Sequence, residues 1–143
     1  MSLQASEADR RIGNIIAIGR ITELDARSAT ARVQLGELTT PFLAVGQFRA
    51  GAMQFWWMPS VGEQVLVACP SGDVAQGIIL MSIFAGNAPS TNGSEPQMNL
   101  AGGKLVINGD IEVTGDVVAS GISLVTHTHS GIAPGPANTG EPS

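Results

Sequence analysis

Between Lys104 and Val125 the chain consists of short apolar pieces separated by turn residues, and this segment limits what the 143-residue chain can fold into. Asn-Gly-Asp, Thr-Gly-Asp and Ser-Gly recur about every six residues, a spacing typical of β-helices and β-prisms. Strands this short leave backbone groups unpaired at both edges and one apolar face in water. Burial of such a side chain contributes about 1.5–3 kcal/mol, but only where other polypeptide covers it.

The simplest cover for this segment is the same segment from other copies of the chain. Three copies are the smallest number that closes a triangular prism with an apolar interior, so we predict a homotrimer with a short intertwined β-helix over residues 104–126. Ile122 and Leu124 fall on the opposite phase of the alternation from the earlier aliphatic residues, and we therefore expect a kink or bulge at Ser120-Gly121. The earlier residues share one phase: Leu105, Ile107, Ile111, Val113 and Val117.

The first part of the chain reads as a small β-domain. We interpret residues 1–11 as a polar arm, residues 12–86 as an OB-fold barrel and residues 87–103, rich in Pro, Ser, Asn and Gly, as a linker. The fold class is therefore all-β, with an N-terminal barrel followed by the trimeric prism and a pointed apex. Five runs carry the β-pattern, namely Ile15–Leu24, Ala29–Leu35, Thr39–Val45, Gln64–Cys69 and Ala75–Phe84.

Both tryptophans of the chain, Trp56 and Trp57, lie between the third and fourth of these runs. The favoured interpretation is that they close one end of the barrel. The alternative is an interface with a partner or a sister chain, because tryptophan is enriched at interfaces.

Charge, cysteine content and hydropathy bear on whether the protein binds nucleic acid, where it folds and whether it spans a membrane. The net charge is −5, and after Ala50 a single base, Lys104, stands among the acids, which predicts no nucleic-acid partner for that part of the chain. Cys69 is the only cysteine, so we expect folding in a reducing cytoplasm. The longest apolar stretch, residues 77–86, is too short to span a bilayer, and the N-terminus does not resemble a secretory signal.

The only two histidines, His127 and His129, form a His-Thr-His motif directly after the predicted prism. In an extended strand, residues two apart point to the same side, so both imidazoles face one way. Two imidazoles do not complete a metal site in one chain, but three chains around an axis provide six nitrogens in an octahedral cage. Iron, nickel, copper and zinc all accept imidazole; six-coordination disfavours zinc, and availability favours one iron ion per trimer.

Residues 131–143 contain three prolines and three glycines. Alone they form a flexible tail, whereas at the end of a trimeric prism they form a tapering tip, since proline fixes φ and glycine permits tight reversals. We assign residues 127–143 to a metal-binding tip. A metal attached there stabilises the chain ends by on the order of 10 kcal/mol, judged from structural zinc peptides.

Several pieces, in this order, resemble phage baseplate assembly protein V, the family of central spikes of contractile tails. The most specific is Thr126-His-Thr-His-Ser, followed by Gly and Pro-Gly-Pro. The others are Trp57-Met-Pro-Ser-Val-Gly-Glu-Gln-Val-Leu-Val, Pro70-Ser-Gly-Asp with Gln76-Gly-Ile-Ile-Leu, and the Gly-Asp-Ile and Gly-Asp-Val repeats.

The resemblance covers residues 12–140 and implies an N-terminal OB-fold, a trimeric β-helix and an apex whose His127 and His129 bind iron octahedrally. It further implies a place at the tail baseplate tip of a virion, or of a phage-derived injection particle, below the tail tube and next to the baseplate hub proteins. The role that the resemblance implies for the protein there is to pierce the bacterial outer membrane, after assembly in the host cytoplasm. No enzyme activity and no small-molecule substrate are expected.

Two other functions are compatible with parts of the sequence. The first is an acidic OB-fold module that binds protein or single-stranded nucleic acid, with an unrelated trimerisation segment; the nucleic-acid version needs a basic groove with stacking aromatics. The second is a metallohydrolase that uses His127 and His129. It lacks a third ligand, because Glu112, Asp116 and Glu141 are scattered along the chain.

Overall fold

The computed structural model describes residues 2–131 and Gly135, and these are mostly β. The chain divides into two units, Met1–Gln97 and Met98–Ser143, and the division falls within the predicted linker. Most of the predicted tip after Gly131 lies outside the described residues.

Six strands form the sheet of the first unit. β1 pairs antiparallel with both β2 and β5, β6 pairs with β5 and, in parallel, with β4, and β4 returns to β2. This circuit closes a five-strand barrel, which confirms the predicted OB-fold. The strands are β1 (Ile16–Asp25), β2 (Thr30–Leu35), β3 (Leu38–Thr39), β4 (Leu43–Val45), β5 (Gln64–Ala68) and β6 (Ile78–Ser82).

The inward-facing side chains of the strands, which alternate with outward-facing ones, fill the barrel. Along β5, Val65 and Val67 are fully buried while their neighbours are partly exposed, as a period of two requires. Burial also raises the pKa of the Cys69 thiol, which keeps it protonated. The complete buried apolar core is Ile21, Ala31, Val33, Leu43, Val65, Val67, Cys69 and Ile79.

Two of the predicted strands are shorter than expected. The run 39–45 is broken into β3 and β4 around Pro41, which has no amide hydrogen to donate to a neighbouring strand. The run 75–84 begins with a 3-10 turn, Val74–Gln76, that is capped by the Asp73 side chain. Only its centre, β6, joins the barrel.

The polar arm forms a helix, α1 (Leu3–Gly13), which is the α-helix of an otherwise mostly β chain in the described residues. Ser2 caps the helix by accepting a hydrogen bond from the Ala5 amide at 3.2 Å. Glu7 pairs with Arg10 and Arg11 one turn later. These hydrogen bonds to Arg10 and Arg11 lower the pKa of Glu7 to about 2.

Thr40 is the one polar side chain buried in the described part of the barrel. Its hydroxyl accepts from the Val33 amide at 3.0 Å and donates to the Pro41 carbonyl at 2.8 Å. Replacing Thr40 by valine leaves the Val33 N–H without a partner. We expect Thr40→Val to lower the free energy of unfolding by about 1–3 kcal/mol in denaturant titrations. Thr39→Val, at an exposed neighbour, is the control; equal losses in both variants would contradict this account.

In the second unit, β7 (Val118–Ala119) and β8 (Ile122–Ser123) form a small antiparallel hairpin. Ser120 and Gly121 connect them with φ values of 51° and 82°, as in a type I′ turn. The expected kink or bulge at Ser120-Gly121 is therefore wrong, because the chain reverses direction there instead of continuing.

Residues 104–117 form no strand in the single chain. Their aliphatic side chains are exposed in both phases of the alternation, and four of the five in the first phase are exposed less than either residue of the second. In the phase that begins at Leu105, the exposed fractions are 51% for Leu105, 48% for Ile107, 66% for Ile111, 48% for Val113 and 44% for Val117. In the opposite phase, Val106 is 70% exposed and Val118 is 62% exposed.

Candidate metal centre

The two histidines come together in the chain that follows β8. The ring centroids of His127 and His129 are 5.3 Å apart, and the rings meet edge to face at 80°. Both side chains are exposed. One chain thus presents two accessible imidazoles side by side.

The backbone fixes which nitrogen of His127 is available. Its Nδ1 lies 2.9 Å from the Ser123 carbonyl oxygen and 3.2 Å from that of Leu124. A carbonyl only accepts, so Nδ1 carries the proton and donates it. In this neutral tautomer, Nε2 has a free lone pair. Histidines that bind metals through one ring nitrogen commonly donate the proton of the other to a carbonyl.

A tight turn places His127 in this position. The Thr126 amide donates to Ser123 Oγ at 2.9 Å, and the His127 amide donates to the Ser123 carbonyl at 3.2 Å. Asp116, which precedes the hairpin, accepts from the Val125 amide at 3.1 Å. Sequence reasoning missed both Ser123 and Asp116 as parts of this site, because their contribution depends on the hairpin reversal.

The donor set of one chain fits a site shared between chains. Among residues 2–131 and Gly135, no group of three or more His, Cys, Asp or Glu side chains comes together. Asp116 already accepts hydrogen bonds, and Glu141, the remaining candidate, lies outside the described residues. Two imidazoles without a carboxylate lack the third ligand and general base of a hydrolytic zinc site, whereas they fit a cage of six imidazoles.

The tryptophans do not close the barrel, so the favoured interpretation of Trp56 and Trp57 was wrong. Their exposed fractions are 61% and 48%. The aromatic loop, residues 48–57, is tied to the chain just after β4, because the Trp57 amide donates to Gln47 Oε1 at 2.9 Å. Phe55 packs against Phe48 and Trp57 at 5.5 Å and 6.1 Å between ring centroids. Exposed, preorganised aromatic side chains are typical of protein interfaces.

One depression on the barrel surface lacks the features of a groove that binds single-stranded nucleic acid. A shallow depression on the barrel has Arg20 as its only charged side chain and contains no aromatic ring on which a base could stack. It is lined by Ile18, Gly19, Arg20, Gln34, Gly36 and Gln64. Separately, none of the helices in the described ranges has the length and apolar character needed to cross a bilayer.

Comparison with known proteins gives two family matches. Residues 17–84 match the family described as the type VI secretion system/phage-baseplate injector OB domain. Residues 121–143, which include His127 and His129, match the GpV Apex motif. The spike protein of Escherichia phage P2 is 35% identical over 126 residues, which cover 87% of this chain and 59% of the P2 protein. The chain thus corresponds to somewhat more than half the length of this relative.

Proposed function

Because this chain belongs to the phage-baseplate spike family, through its injector OB domain and its apex motif, we propose that it is the homotrimeric central spike of a contractile tail or phage-derived injection particle. The family is a structural one without enzyme activity. The spike would stand at the tip of the baseplate of the assembled particle, after assembly in the host cytoplasm, and would pierce the bacterial outer membrane.

The observation that carries the trimer is the uncovered aliphatic row of the second unit. Ile107, Val113 and Val117 are each about half exposed in the single chain. The hairpin of β7 and β8 is too small to cover them, since it contains only two residues per strand. Two further copies of residues 104–126 would cover this row and complete the backbone pairing that the single chain lacks.

His127 and His129 of three chains would hold the metal at the apex. The free Nε2 of His127 and the side-by-side position of His129 support this assignment. A bound ion would supply a cross-link between the three chain ends, with iron favoured over zinc by the number of imidazoles. The residues of each chain would then keep the tip closed while it bears load.

The barrel and its aromatic loop would connect the spike to the rest of the baseplate. Sheath contraction drives the tube, and a ring of three barrels would pass that force to the narrow apex. The exposed side chains of Trp56 and Trp57 offer a surface for the hub or tube proteins above the spike. Gln47 holds the Trp57 backbone through its amide, so the backbone that carries this ring would lose little conformational freedom on docking.

Native mass together with elemental analysis of the purified protein tests the trimer and the metal at once. Three copies of 14.7 kDa give a particle of about 44 kDa. We expect that mass together with one metal ion, iron, per three chains. A well-folded, metal-free monomer with an ordered C-terminal segment would contradict the proposal.

A further inference from the structure

Asp116 ties the two ends of the β7–β8 hairpin together. It directly precedes Val117 and the first strand, and its Oδ1 accepts a hydrogen bond at 3.1 Å from the amide of Val125, which follows the second strand. The Leu124 amide closes the same hairpin by donating to the Val117 carbonyl at 2.9 Å. The base of the hairpin is thus fixed both by backbone pairing and by one carboxylate.

Ser123 connects this hairpin to the first histidine. Its hydroxyl accepts from the Thr126 amide at 2.9 Å, and its carbonyl accepts from both the amide and Nδ1 of His127, at 3.2 Å and 2.9 Å. A hydrogen bond from the Ser123 side chain is also the main cause that lowers the pKa of Asp116 below its usual value, with the Val125, Val117 and Leu124 amides adding to it against some desolvation. Ser123 therefore contacts the imidazole, and it belongs to the strand whose end the Asp116 carboxylate holds.

We propose that Asp116 and Ser123 are positioning residues for the apex metal, holding His127 with Nδ1 protonated and Nε2 free toward the ion. This inference rests on the metal-bound apex proposed above. Asp116 fixes the hairpin and Ser123, Ser123 fixes the ring, and the ring of His127 limits where His129 can lie through their edge-to-face contact at 5.3 Å. Partners of this kind, one step removed from a metal, orient the ligand and set its tautomer.

The chain contains a natural control for Asp116. Asp110 occupies the same place in the preceding repeat, Asn108-Gly109-Asp110 against Thr114-Gly115-Asp116, and is likewise exposed. It lies before the hairpin and therefore has no part in its closure. Asp110→Asn and Asp116→Asn remove the same charge from the same sequence context, so a difference between them reports on the hairpin alone.

The test uses the full chain and two readouts. In metal-free protein, the nitrogen chemical shifts of the His127 ring report its tautomer by NMR. We expect the Nδ1–H form in the unaltered chain and in Asp110→Asn, and a mixture of both tautomers in Asp116→Asn, because an amide has a single acceptor oxygen and no charge. After loading with Fe²⁺, we expect release to a chelator about ten times faster from Asp116→Asn than from Asp110→Asn.

Ser123 provides a second pair of variants in case Asp116→Asn disturbs assembly. Ser123→Ala removes the hydroxyl and should accelerate metal release, and Ser123→Thr should restore the rate of the unaltered chain, with the trimer mass unchanged in both. If the unaltered chain binds no Fe²⁺, the metal proposal fails. The His127 tautomer measured in metal-free protein still tests whether Asp116 and Ser123 orient the ring. If Asp116→Asn and Ser123→Ala both keep the original tautomer and release rate, the positioning role is overturned.

Discussion

Replacing His127 by alanine is expected to abolish stable metal binding by the trimer. In the proposed apex, the change would remove three of the six imidazoles at once, and the remaining His129 rings could not enclose an ion that favours six ligands. Since structural metal attachment is worth on the order of 10 kcal/mol, the chain ends should also separate more readily. Elemental analysis after gel filtration in chelator should find no metal, and a protease should remove the C-terminal residues faster than from the unaltered trimer.

Thr128→Ala is the matched control for this experiment. Thr128 lies between the two histidines, so the variant changes the same stretch of backbone but keeps both imidazoles. We expect it to retain one ion per trimer. Retention of the ion by His127→Ala in the same amount would rule out the His-Thr-His motif as the metal site.

Replacing Ile107 by glutamate is expected to convert the trimer into monomers. In the proposed trimer, Ile107 would face the shared axis, because it is 48% exposed in the single chain against 70% for its neighbour Val106. Around a three-fold axis, one substitution brings three carboxylates together in an apolar interior, and each unpaired buried charge costs several kcal/mol. Light scattering should find 14.7 kDa in place of about 44 kDa.

Val106→Glu tests the same chemistry one residue earlier. Its side chain belongs to the opposite phase and should point to solvent in the trimer, so the mass should remain that of three chains. Dissociation of both variants, or of Val106→Glu alone, would show that the phase assignment of residues 104–117 is wrong.

The barrel was predictable because its β-runs alternate between core and surface, as Val65 and Val67 do. Pro41 is also apparent from the sequence. Whether it breaks the third run, however, depends on whether a neighbouring strand needs the amide hydrogen that proline lacks. The helix α1 was missed because it has no apolar face: Leu3 is 90% exposed and Ile12 66% exposed. Its stability comes from Ser2 and from the ion pairs of Glu7, local contacts that periodicity does not detect.

For the candidate site, the sequence alone provided His127 and His129, since no other histidine exists. The roles of Asp116 and Ser123 could not be predicted from spacing. Asp116 is seven residues from Ser123, and only the reversal at Ser120-Gly121 brings the two ends of the hairpin together. The sequence marks the Ser-Gly pair as a break in the pattern, but a bulge and a type I′ turn place the following residues on different sides.

The uncovered aliphatic row also has a consequence for assembly of the proposed trimer. Each newly synthesised chain would carry this exposed apolar surface until it met two others, so productive assembly would compete with aggregation and would slow steeply on dilution. Refolding at low concentration should therefore favour dead-end species, whereas local synthesis of many copies from one messenger favours completed spikes.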